Sequence, residues 1–145
     1  MKGLGMGSDG SLAKSRVWVA LMVAMAPQAL LGAEPILVPS GQEVTLLETI
    51  NDAAGPDGLT ARFRFLAPMI ATANGAVDAE QALVDMAYLC ETYALPRLSS
   101  LGPQPQQIII SLADRALDFG ATDSAATQYF EAYRPDGAAC VWEMY

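Results

Sequence analysis

The chain has no histidine, only two cysteines, and only two lysines, Lys2 and Lys14, both near its start. Each scarcity excludes chemistry. A serine nucleophile normally takes its proton acceptor from histidine or lysine, and beyond residue 33 this sequence offers neither. Zinc sites built on histidine are excluded outright, and those built on cysteine need both Cys90 and Cys140 as thiolates. No glycine-rich phosphate loop of the nucleotide-binding kinds occurs, so neither a metal nor an organic cofactor is expected. Positive charge is scarce as well. Beyond residue 33 the bases are Arg62, Arg64, Arg97, Arg115 and Arg134, set against fifteen carboxylates, a net charge of −10. Nucleic acid, held mainly through clustered Lys and Arg, is therefore not an expected partner.

The basic residues missing from the body of the chain are gathered at its start. Lys14 and Arg16 precede an unbroken apolar run, Val17 to Ala26, then a break at Pro27-Gln28 and small residues ending in Gly32-Ala33. This is the layout of a secretory leader, and the run is short of the roughly 20 residues that a membrane span needs. The reading is a signal peptide over residues 1–33 and a single globular domain over 34–145, with cleavage before Glu34. With no cysteine at the leader's end to take a lipid, the expected product is periplasmic or secreted and carries no stable membrane anchor. In an oxidising compartment, Cys90 and Cys140 on one small domain read as a disulfide.

Within the domain, Glu43 to Ile50 places Val44, Leu46 and Ile50 at period two, and NDAAGPDG then reads as a long turn. Leu59 to Leu66 follows with Phe63 and Phe65 on one face and Arg62 and Arg64 on the other. Residues 77–95 carry the one strong helical signal. Asp78 and Gln81 form a capping box, Pro96 is the stop, and the inward stripe is Ala79, Ala82, Leu83, Met86, Leu89, Cys90 and Tyr93, with Glu80, Asp85 and Glu91 pointing away. Gln106 to Leu112, with three consecutive isoleucines, suits a strand buried on both faces. The C-terminus reads as a hairpin looping over Pro135-Asp136-Gly137, which puts Phe130, Ala132, Cys140, Trp142 and Met144 on one inward face. Cys140 then faces the helix stripe that bears Cys90. The expected fold is α+β: a mostly antiparallel sheet of about five strands, one covering helix and one disulfide. Arg62, Arg64, Glu131 and Tyr133 would lie on the wet face.

Candidate site residues are few. Asp114, Asp118 and Asp123 sit in one acidic loop, but their spacing lacks the alternate ligand positions and terminal Glu of a calcium loop. Arg62 and Arg64 could fork onto a ligand carboxylate or pair with neighbouring acids. Asp114, Arg115 and Asp123, with the two strand arginines, are the candidate ligand- or partner-binding set; no catalytic residue is assigned.

The stretches ARFRFLAP, DMAYLC, ALPRL, QIIISLADRALDFGATD and ATQYFEAYRPDGAACVWEMY together resemble a family of short exported alphaproteobacterial proteins of unknown function. The resemblance rests most on RFRF, LADR, FG, ATQYFEA and CVWE. It implies a leader, one small domain and paired cysteines, and supplies no active site. Some relatives carry the label acetolactate synthase. That enzyme is several times longer, cytosolic and dependent on thiamine diphosphate, and its GDG-containing cofactor segment has no counterpart here. Two expectations follow: a non-catalytic envelope protein that binds a protein partner through its sheet face or loops, or a small-ligand binder or hydrolase using the loop carboxylates with Arg62, Arg64 or Arg115. The missing bases, nucleophiles and cofactor motifs favour the first.

Overall fold

The computed structural model describes residues 33–55, 58–100 and 102–144, with Gly5 and Gly7 as isolated positions before them. The leader read from the sequence lies outside the described residues. Strands β1 (Ile36–Leu37), β2 (Glu43–Gly55) and β3 (Gly58–Leu66) come first. Helix α1 (Ala79–Leu89) follows, then β4 (Gln107–Ala113), β5 (Gln128–Asp136) and β6 (Ala139–Glu143). The six strands form one sheet in chain order.

This corrects the expected five-stranded, mostly antiparallel sheet: it has six strands and is mixed, because β3 and β4 run parallel, with Phe63 beside Ile110 and Phe65 beside Leu112. The reason is the crossover. The chain leaves β3 at one end of the sheet, passes through α1 and re-enters at the other, which only a parallel neighbour accommodates. All seven residues of β4 are buried, as its run of isoleucines suggests.

Among the described residues of NDAAGPDG, read as a long turn, the chain is strand instead: β2 continues to Gly55, paired with Gly58, and absorbs its extra residues in irregularities after Leu46 and Ile50. Asp78 accepts from the Gln81 amide, and the Gln81 side chain accepts from the Asp78 amide, so the capping box forms as read. The helical path does not stop at Pro96. It loosens into a π turn over Cys90–Ala94 and a 3-10 segment over Leu95–Ser100, where Pro96 sits in the first turn and no hydrogen bond is asked of it.

Ala82, Met86, Leu89 and Cys90 share one core with Phe63, Phe65, Ile108, Ile110 and Leu112. Tyr93 meets Phe63 and Phe65 edge-on, with ring centroids 6.3 and 5.4 Å apart. The expected helix faces are corrected at three positions: Ala79 and Leu83, read as inward, are exposed, and Asp85, read as pointing away, is fully buried.

The C-terminal hairpin closes over Gly137-Ala138, with Asp136 opposite Ala139, rather than over Pro135-Asp136-Gly137. Gly137 supplies the positive φ, 62°, that a two-residue hairpin turn needs at its first position. Tyr133 now faces Trp142, and Pro135 faces Cys140. The register that turns Tyr129, Glu131 and Tyr133 toward the helix is tolerated because Glu131 is only half-buried and accepts a hydrogen bond from the Trp142 indole. Cys140 still points to the helix layer, and the Cys90–Cys140 disulfide is present, closing a separation of 50 residues.

Candidate functional site

The two faces of the sheet differ from those expected. Tyr133 is on the helix side, 3 % exposed, and burial together with Glu131 and Glu91 pushes its hydroxyl well above the usual phenol range. On the opposite side, register places Arg62 next to Ile109, and Arg64 next to Ser111, which in turn neighbours Phe130. This side is not simply wet. Arg64 is only 8 % exposed, because the loop between β4 and β5 folds back over it.

The loop is held by a small polar network. Its first residue, Asp114, donates its backbone N–H to the Thr127 carbonyl at 3.0 Å. Arg115 donates to an Asp114 carboxylate oxygen at 3.0 Å and to the Ala125 carbonyl at 3.0 Å, and its other guanidinium nitrogen lies 3.7 Å from Asp123. Asp123 also accepts from the Ala125 amide at 2.8 Å, a local aspartate turn. The hydrogen bond from Arg115, partly opposed by burial, holds the Asp114 carboxyl below the usual carboxylate range. Asp114 is thus fixed as an anion, unsuited to the proton-donor role that carboxylate-based hydrolysis asks of one member of its pair.

At the loop's crest, Gly120 takes φ 80° and the Ala121 amide closes a turn on the Asp118 carbonyl. That turn carries Phe119 out over the sheet. Its ring lies 5.4 Å from the Arg62 guanidinium and 5.6 Å from that of Arg64, both within cation–π range. Arg64 is further committed: it donates to the Leu117 carbonyl at 2.7 Å and pairs with Glu48 on β2. Arg62 differs. Among the described residues it has no carboxylate partner, and its Nε is shut off from water without an acceptor. The enclosed Nε is out of a ligand's reach, but the guanidinium's terminal nitrogens lie at the cleft without a carboxylate to neutralise them.

Between loop and sheet lies an open cleft of about 740 Å³, within the usual size range of small-molecule sites. Arg62 and Arg64 line it with Phe119 and Phe130, and Asp118, Asp123, Thr122, Ser124 and Gln128 complete much of its wall. A second recess of about 330 Å³ lies against Arg64, Phe119, Leu117 and Glu48. Of the five candidates from the sequence, Arg62, Arg64 and Asp123 meet at the cleft. Asp114 and Arg115 do not line it; they brace the loop that does. Sequence reasoning passed over Phe119, Phe130 and Glu48. The signal that could have found Phe119 is an aromatic directly before a glycine within an acidic loop, a residue with no strand or helix to pack into.

Among the described residues there is no group of three or more His, Cys, Asp or Glu side chains that could hold a metal ion. Among them, too, no helix is long and apolar enough to cross a membrane. The chain belongs to a family of unknown function, DUF6497, whose model matches residues 18–145. No curated protein and no solved structure matches the chain.

Proposed function

We propose that this protein is exported, loses its leader before Glu34, and works as a non-catalytic binding domain that holds a small ligand in the cleft between the β4–β5 loop and the sheet. The cleft carries this reading, because it brings a guanidinium with no carboxylate partner among the described residues together with two half-exposed aromatic rings in one concavity. Export is supported by Lys14, Arg16 and the apolar run after them, and by a disulfide of the kind that persists in oxidising compartments. The non-catalytic reading is supported by the lack of histidine and of any lysine beyond residue 33 and by cysteines locked to each other.

Export is checked by the N-terminus of protein recovered from periplasm and medium. A start near Glu34 is expected; intact chain found only in the cytosol overturns it. For the cleft, a fragment screen read by amide chemical shifts should cluster its hits on Phe119, Gly120, Gln128 and Phe130. Hits scattered elsewhere, or a protein partner captured equally well by wild type and by a cleft-blocking Ala121→Trp variant, would move function to another surface. A turnover on any substrate that Asp114→Asn abolishes would make it an enzyme.

A further inference from the structure

Resting on that reading of the cleft, we infer that its ligand is a monocarboxylate with an apolar, preferably aromatic, body. Two arginines line the cleft, but only one is disposable. Arg64 is engaged by Glu48 and the Leu117 carbonyl, and it anchors the loop. Arg62 is met by the Phe119 ring and has no carboxylate partner among the described residues. A planar carboxylate in the cleft can accept end-on from the two terminal nitrogens of the Arg62 guanidinium, a fork geometry in which arginine binds carboxylates bidentately.

The rest of the cleft selects how much charge the ligand can bear. Asp118 and Asp123 both line it. Asp123 is answered by Arg115, whereas the Asp118 side chain meets no cation among the described residues. A second negative charge on the ligand would face Asp118 inside a domain whose net charge beyond residue 33 is −10, so a phosphate ester or dicarboxylate is repelled where a single carboxylate is matched. Phe119 and Phe130, 58 % and 47 % exposed, then offer apolar surface beside the charged end, and a hydrocarbon or ring removes that surface from water. Thr122, Ser124 and Gln128 on the wall supply neutral hydrogen-bonding groups without adding charge.

The test is a titration of the purified protein, followed by amide chemical shifts, with three probes that share a phenyl ring: 4-phenylbutyrate, 4-phenyl-1-butanol and phenyl phosphate. Phenylbutyrate should shift Phe119, Gly120 and Phe130 and bind at least about tenfold more tightly than the other two, a difference of about 1.4 kcal/mol. Arg62→Gln should erase the preference of acid over alcohol. Phe130→Ala should weaken acid and alcohol alike, which keeps the inference testable if the arginine variant does not fold. If the alcohol or the phosphate binds the cleft as tightly as the acid, or if Arg62→Gln keeps the preference, the ligand class is wrong while the cleft remains a binding site. If no probe moves the cleft amides, both the ligand class and the cleft reading fail.

Discussion

Arg62 and Arg64 stand two apart on one strand and looked interchangeable in the sequence, yet they do different work. Period-two alternation against Phe63 and Phe65 correctly assigned both to the face away from the helix. It could not say that a loop some fifty residues further on would return over that face and bury one of them, because nothing local in RFRF encodes a distant cover. Arg64 now joins β2, β3 and the loop through Glu48 and the Leu117 carbonyl. Its removal should therefore be felt in stability. Arg64→Ala is expected to lower the unfolding free energy by about 1–3 kcal/mol, through the lost charged hydrogen bond and packing, whereas Arg62→Ala should stay within about 1 kcal/mol of wild type. Urea unfolding of the two variants side by side checks this; equal losses would mean the loop is not anchored through Arg64.

Elements were most legible where a local rule decides them. The helix start follows from Asp78 and Gln81, two residues whose reciprocal bonds need nothing beyond themselves. The helix's buried face was legible only in part. Helical periodicity sends a charged residue to water, but Asp85 turns inward because three donors wait for it from far earlier in the chain. The Ser40 amide donates to it at 2.8 Å, the Ser40 hydroxyl at 2.6 Å and the Gln42 side-chain amide at 2.9 Å. These bonds pin the segment joining β1 to β2 onto α1, the role a hydrophobic contact would play if Leu83 faced inward. Asp85→Ala should cost about 3–5 kcal/mol, since it leaves buried donors unpaired, while Leu83→Ala, on the exposed side, should change stability by less than about 0.5 kcal/mol. Thermal melts of both would decide which residue belongs to the core. The hairpin register slipped for a related reason. Glu131 was assigned outward to spare it burial, and a partner for it in the Trp142 indole was not visible from alternation alone.

At the scale of the whole molecule, the parallel joint between β3 and β4 and the disulfide are complementary. The crossover through α1 ties the middle of the sheet to the helix, but β6 lies at the sheet's far edge, paired to β5 on one side, with Val141 and Trp142 exposed. An edge strand so placed is prone to fray or to pair with another chain. The disulfide counters this by fastening Cys140 on β6 to Cys90, where the α-helix gives way to the π turn, and the Cys140 amide reaches Glu91 at 3.5 Å beside it. Both cysteines were placed inward by their sequence periodicities, one correctly by helical spacing and the other correctly despite the wrong hairpin loop, because Cys140 turns inward in the observed register too. Closing a loop of this length stabilises the fold by about 4 kcal/mol through the unfolded state. Native protein should therefore show no alkylatable thiol, and Cys90→Ala paired with Cys140→Ala should lower stability by about 2–5 kcal/mol. The loss should also have a location. If the bond's role is to hold the edge strand, hydrogen exchange in the double variant should quicken first at the β6 amides, with β3 and β4 protected until global unfolding. Uniform acceleration across the sheet would mean the disulfide acts on the unfolded chain alone and leaves the edge to hold itself.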